Sequence, residues 1–308
     1  MRLTALAGGV GAAKLLCGLV QVMPPEELTV VVNTGDDFRW MGLYICPDLD
    51  TVIYTLAGLD NPATGWGVRD DTFHCLEHLR RLGCETWFQL GDRDLATHVY
   101  RTHLLQNGSR LCDAVALLCL RNGIASRVLP MTDSPVPTIV DTGEGAMAFQ
   151  DYFVRRRCSP QVRGFCFQGI EAASPAPGVL EAIQEADAIV LCPSNPYISI
   201  GPILAVPGIR TALRATHATV LAVTPLVAGE SLKGPAAAMM RQLGSEVSAW
   251  SVARQYQDFL DIFVLDRRDA HLSGRIEALG PEVRTADTVM NDLPAKVALA
   301  GSVLEMLA

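Results

Sequence analysis

The chain reads as an α/β protein with a mostly parallel sheet and a helical cap inserted into it, and three observations point there. Short apolar runs rich in β-branched residues alternate with helix-period segments along much of the 308 residues. The first run passes straight into Gly8-Gly9-Val10-Gly11-Ala12-Ala13-Lys14 and then a helical pattern. Between about residues 50 and 122 the pattern is helical alone.

Taken in order, strands are expected at 2–7, 28–33, 126–129, 138–141, 162–168, 188–192, 219–223 and 263–265. Helices are expected in the cap at 72–82, 96–106 and 111–121, closed by Gly83, Gly108 and Gly123, and later at 235–243 and 293–307. No repeat or low-complexity linker divides the chain, so one domain over 1–308 is expected, interrupted by the cap at about 50–122.

With 49% hydrophobic residues the chain can bury a large core, and a net charge of −8 argues against broad binding to nucleic acid. Nine cysteines stand at 17, 46, 75, 84, 112, 119, 158, 166 and 192 without a C-x-x-C pair, so neither a zinc site nor a disulfide framework is indicated. They read as thiols of a reducing cytoplasm, and no apolar run reaches membrane-spanning length.

The glycine turn suits a phosphate, because glycines let backbone N–H groups approach an anion and the following helix adds the positive end of its dipole. Lys14 lies between Ala13 and Leu15, so this is no Walker A loop, which needs Gly-Lys before Ser or Thr. The dinucleotide fingerprint fits better, but Lys14 holds its third glycine position and the second strand ends in Asn33 rather than an acid, which disfavours an NAD-dependent oxidoreductase. A nucleotide or diphosphate is expected beside Gly8, Gly9, Gly11 and Lys14, the alternative being a tight turn with no ligand.

After the second strand come Asn33-Thr34-Gly35-Asp36-Asp37 and Pro47-Asp48-Leu49-Asp50-Thr51. Carboxylates beside a phosphate site suggest Mg²⁺, with Asp36, Asp37 and Asp50 read as functional and Asp48 read as a helix cap as readily as a ligand. Leu90 to His98 reads as a helix start with acids in its first turn. The polar, proline-stiffened stretch Pro193 to Pro202 reads as a preformed ligand loop offering Ser194, Asn195 and Ser199. Lys233 stands before a helix start and is either a phosphate ligand or solvated. No Ser-His-Asp or Cys-His order supports covalent catalysis.

Together these motifs resemble the 2-phospho-L-lactate transferases of coenzyme F420 biosynthesis, including their bacterial phosphoenolpyruvate-using members. The resemblance runs from Gly8-Gly9-Val10-Gly11 through Asn33 to Asp37, Pro47 to Thr51, Trp66-Gly67, Leu90 to His98, Pro130 to Asp133, Phe149-Gln150-Asp151 and Pro193 to Ile203 to Lys233-Gly234-Pro235. It implies a Rossmann-like core with helices on both faces, a cytoplasmic homodimer, and transfer of a phospho-acid group from a guanosine-diphospho donor to the ribityl hydroxyl of the deazaflavin FO, with Mg²⁺ assisting and GMP leaving. By it Gly9, Gly11 and Lys14 hold the diphosphate, Asp36 and Asp37 the metal, and Ser194, Asn195 and Ser199 the guanylyl part. Asp50 orients FO and takes its proton; Trp66 and Gln89 also contact FO, although the family usually has a basic residue where Gln89 stands. Ala237 and Ala238 likewise replace an acid and a base. The rival within the same superfamily is a nucleotide-sugar-binding regulator without activity.

Overall fold

The computed structural model describes residues 1–231 and 234–308. Five consecutive buried residues form β1 (Leu3–Ala7), and the glycine turn leads directly into α1 (Val10–Val22). β2 (Leu28–Val32) follows, then a hairpin of β3 (Phe38–Trp40) and β4 (Leu43–Ile45), and four helices: α2 (Pro47–Leu56), α3 (His74–Arg81), α4 (Asp92–Gln106) and α5 (Leu111–Arg121). β5 (Arg127–Pro130) precedes a small antiparallel sheet of β6 (Thr138–Thr142), β7 (Gly145–Ala148) and β8 (Val162–Phe167). Next come α6 (Val179–Gln184), β9 (Ala188–Leu191), α7 (Ile200–Ala205), α8 (Ile209–Ala215) and β10 (Thr219–Val223). The remainder holds the short pair β11 (Leu226–Val227) and β12 (Glu230–Ser231), α9 (Ala236–Gln242), α10 (Ala249–Ala253), β13 (Ile262–Asp266), α11 (Ser273–Glu277), β14 (Glu282–Ala286) and α12 (Leu293–Leu307).

Seven strands make one sheet in the order β14-β13-β10-β9-β1-β2-β5, every neighbouring pair parallel. Counted in chain order within that sheet, this is the 3-2-1-4-5-6 order of doubly wound folds with a seventh strand added. Alternate residues serve opposite faces: Ala188 and Val190 join a core with α1, α2, α5 and α12, whereas Ile189 and Leu191 join one with α6, α7 and α8. The Rossmann-like fold with helices on both faces is therefore present. The strand order reverses between β1 and β9, which places the ligand crevice outside the carboxyl ends of those two strands, at Gly8-Gly9 and Pro193-Ser194.

Several expectations are corrected. The runs near 138 and 162 pair antiparallel in the small sheet and not in the parallel one. β14 was missed because its residues are largely exposed and carry Glu282 and Arg284, the composition of a protected edge. α4 begins at Asp92, inside the helix start read at Leu90 to His98 and four residues before the apolar pattern alone suggests, because Asp94 and His98 are buried polar residues on its inner face. Within the expected cap, Leu49, Val52 and Ile53 of α2 and Leu111, Val115 and Leu118 of α5 pack in the same buried cluster as β1 and β2. Among the described residues no helix is long and apolar enough to cross a membrane.

Candidate active site

The glycine turn is shaped by what lies against it. A Cβ at Gly8 would lie 2.5 Å from the Cβ of Ser199, one at Gly9 would run into the Asp48 carboxylate, and one at Gly11 would run into the Pro193 carbonyl. Gly8 N–H donates to Ser194 Oγ at 3.2 Å. α1 starts here with no side-chain cap and no acid in its first turn, so its leading N–H groups carry no covering carboxylate of their own helix.

Around this turn lies a cavity of about 320 Å³, lined by Gly9, Gly11, Lys14, Asp36, Asp48, Trp66, Ser194, Asn195 and Ser199 among others. The turn from β1, the acids after β2 and the Pro193 loop after β9 thus converge as the sequence predicts. Asn195 turns its Oδ1 to the Tyr197 N–H at 2.9 Å, so it shapes the loop as well as lining the cavity. Lys233 lies outside the described residues. A second cavity of about 450 Å³ opens on Asp36, Asp37, Phe38, Arg39, Tyr44, Trp87, Phe149 and Gln150. Asp36 and Phe149 line both. Gln89 lines neither; it lies with Trp66 along a third cavity of about 350 Å³.

Asp36, Asp37 and Asp48 are all buried, and among the described residues no guanidinium or ammonium is bonded to them. Asp36 Oδ1 and both Asp37 carboxylate oxygens lack a hydrogen-bond partner. Burial, reinforced at Asp36 by the Asp48 charge, pushes the Asp36 carboxyl well above the usual range. Burial does the same at Asp37, opposed by the Cys46 thiol and Arg101. Asp48 is raised to about 6 by burial, opposed by its bond from Asn33. Hard oxygen donors left unpaired in a buried, mutually repelling group fit Mg²⁺, which takes a few carboxylates and completes its shell with phosphate and water. Asp36 and Asp37 are the residues that would hold it.

Asn33, singled out in the sequence only for not being an acid, is the hinge of this region. Its Nδ2 donates to Asp48 Oδ2 at 2.9 Å and to the Ile198 carbonyl at 3.2 Å, and its Oδ1 accepts from Gly35 N–H at 2.8 Å. One amide therefore ties the acidic turn, α2 and the Pro193 loop together.

Two expectations about α2 change places. Asp48 makes no capping bond and faces the cavity. Asp50, expected to touch the acceptor and take its proton, lines neither of the two cavities at the glycine and acidic turns and instead places both carboxylate oxygens on the fully buried Arg101. Two positions along a helix turn a side chain by about 200°, so Asp48 and Asp50 must point oppositely once the segment is helical. That signal is in the sequence once the helix is taken to start at Pro47. Behind Asp50, His98 Nδ1 stands 3.6 Å from Asp50 and its Nε2 3.1 Å from Asp94, whose Oδ1 also accepts from Tyr54 Oη at 2.7 Å. Asp50, Asp94 and His98 are close enough together for one cation, but the Arg101 guanidinium already supplies the positive charge there.

Comparison with known proteins agrees with this architecture. Residues 3–298 match the family model for 2-phospho-L-lactate transferase CofD. A 2-phospho-L-lactate transferase of Methanosarcina mazei is 43% identical, covering 97% of this chain and 98% of its own. A phosphoenolpyruvate transferase of Streptomyces griseus is 44% identical, covering 99% and 98%. A solved structure of a UPF0052 family protein from Bacillus halodurans superposes with a TM-score of 0.66 over 98% of both chains at 15% identity, a likeness of fold.

Proposed function

This chain belongs to the 2-phospho-L-lactate transferase CofD family, and from that premise we propose that it moves a phospho-acid group, 2-phospho-L-lactate or phosphoenolpyruvate, from a guanosine-diphospho donor to the ribityl hydroxyl of FO. GMP leaves, and the product is a phosphodiester on the route to coenzyme F420. The observation that carries this reading is the juxtaposition of an uncapped helix N-terminus behind Gly8-Gly9 with the unpaired buried oxygens of Asp36 and Asp37, in adjoining cavities that share Asp36.

Displacement at phosphorus asks the protein mainly for positioning and charge neutralisation. The α1 N–H groups, with Gly9, Gly11 and Lys14 along the wall, bind the diphosphate, while Ser194 and Ser199 fix the turn from behind. When bound at Asp36 and Asp37, Mg²⁺ supplies charge neutralisation for the phosphoryl oxygens and leaving group. Asp48 closes the site opposite Gly9, held in place by Asn33. Asp50 acts through Arg101, bracing α2 so that Asp48 keeps its direction. The same reading takes the protein as a cytoplasmic homodimer.

The test is mass spectrometry of products after incubation with FO, Mg²⁺ and the guanosine-diphospho forms of lactate, enolpyruvate and glycerate in turn, with EDTA controls. An FO phosphodiester with GMP from one donor supports the transferase and names its acid. Tight nucleotide binding without product from any donor overturns it in favour of a regulatory binding protein.

A further inference from the structure

We propose that Asp71 and Asp92 form a latch, each carboxylate capping the helix on the other's side, and that they are positioning residues for the loop that the third cavity shares with the glycine-turn cavity. The kinetic consequence rests on the transferase reading above; the latch itself does not. α3 and α4 start at the cap positions Phe73 and Gly91, neither of which has a side chain able to accept a backbone N–H. The leading N–H groups of both helices must find acceptors elsewhere, and each helix obtains them from the other. Asp92, the first residue of α4, takes the His74 N–H on Oδ2 at 3.1 Å and the Cys75 N–H on Oδ1 at 2.9 Å. Asp71, just ahead of α3, takes the Arg93 N–H on Oδ1 at 2.9 Å and the Asp94 N–H on Oδ2 at 3.0 Å. Thr72 closes the exchange: its Oγ1 donates to Asp92 Oδ2 at 2.6 Å, and its carbonyl accepts from the Asp92 N–H at 2.7 Å. Both caps are carboxylates at the positive end of a helix dipole, which strengthens them.

A cap supplied from within its own turn stabilises one helix wherever that helix sits. Here the bonds span 17 to 23 positions, so capping either helix requires both to be in place. α3 buries Leu76 and leaves most of its surface in water, so apolar packing does little to hold it. Gly91 is part of the same device. Its φ of −73° suits any residue, but a Cβ there would run into the Asp71 carboxylate, so the close approach of Asp71 is what calls for glycine.

The latch holds the loop behind it. Arg69 N–H donates to the Leu59 carbonyl at 2.8 Å and Asn61 N–H to the Gly67 carbonyl at 3.1 Å, which closes residues 59–69 on themselves, and Arg93 Nη1 donates to the Arg69 carbonyl at 3.4 Å. Thr64 and Trp66 of this loop line both the third cavity and the glycine-turn cavity, while Gln89 and Gly91 line the third from the α4 side. Asp94, whose N–H Asp71 caps, accepts from Tyr54 Oη of α2 at 2.7 Å. The exchange of caps therefore sets the loop against α4, and α4 against the helix that carries Asp48.

Amide hydrogen exchange over residues 59–71, together with steady-state kinetics, tests this in Asp71→Ala, Asp92→Ala, the double variant and Gly91→Ala. Exchange in the loop should speed up about ten-fold in each single alanine variant and no further in the double one, because either loss opens the same joint. Gly91→Ala, which removes no bonding group, should act alike by crowding Asp71. The KM for FO should rise about ten-fold with kcat changed less than about three-fold, because the loop moves and the acids after β2 do not. Unchanged exchange, or losses that add in the double variant, shows two independent caps and overturns the latch. Faster exchange with unchanged kinetics in an active enzyme overturns the positioning role. A wild-type protein that forms no FO phosphodiester overturns the proposed function and with it the kinetic role, while the exchange result still decides the latch.

Discussion

Two groups of buried carboxylates flank the first turns of α2, and the protein treats them oppositely. Among the described residues, Asp36, Asp37 and Asp48 have no basic side chain bonded to them, leave three carboxylate oxygens unpaired and line the cavities. Asp50 and Asp94, on the other side of the same helix, are matched by Arg101 and Tyr54. Burying charge is costly unless it is paired, so a cation bound as proposed above would do for the first group what Arg101 does for the second. An acidic cluster thus becomes informative about ligands when its counter-charge is missing.

The comparison breaks most visibly at Arg101. Arg101→Met leaves Asp50 buried and uncompensated and should destabilise the fold by about 3–5 kcal/mol, measured by urea unfolding. A loss below about 1 kcal/mol would show that the two groups are not treated differently after all.

Next is Asp37→Asn, which on the proposed function should lower turnover about 100-fold or more while leaving the protein folded, because there Asp37 serves as a cation ligand and not as a structural partner. Turnover within a few-fold of wild type would take Asp37 out of the site.

Thermal unfolding without metal sharpens the contrast through its sign. Asp36→Asn relieves a buried, unpartnered charge and should raise Tm by a few degrees, whereas Asp50→Asn removes the Arg101 partner and should lower it. A fall in both would erase the distinction.

The smallest effect is in pH. Asp48 is raised to about 6 in the folded state, against about 3.9 in an unfolded chain. Below about pH 4 both states hold the proton and stability is not taxed by the charge; as pH rises through 6 the folded state loses it and stability falls. Asp36 and Asp37 shift in the same direction. The metal-free wild type should therefore lose stability relative to Asp48→Asn between about pH 4 and pH 7, by up to roughly 2–3 kcal/mol. Added Mg²⁺ should raise Tm more at about pH 7.5 than at about pH 5.5, where protons compete for the same oxygens. Equal shifts at both values would separate the cation from these carboxylates.

Much of the site was legible beforehand because its parts lie at the ends of strands that announce themselves. The apolar run of β1 with its glycines, the acids after β2 and the polar stretch after β9 are each local patterns, and the topology of a doubly wound sheet brings such ends to one crevice. The bonds of Asn33 to Asp48 and to the Ile198 carbonyl were not legible because they join segments 15 and 165 positions apart.

The sequence by itself determined the α/β class, the glycine turn between β1 and α1, the helices at 111–121 and 293–307, and the gathering of acids, since these follow from period, glycine placement and residue chemistry within a few turns of chain. Only the tertiary structure decided which acids face the cavities. Asp48 and Asp50 are chemically identical and two residues apart, and what separates them is a half-turn of helix and the arrival of Arg101 from 51 positions away. Such a pairing is a property of the packed fold, because the energy of a buried charge depends on its neighbours in space and not on its neighbours in the chain.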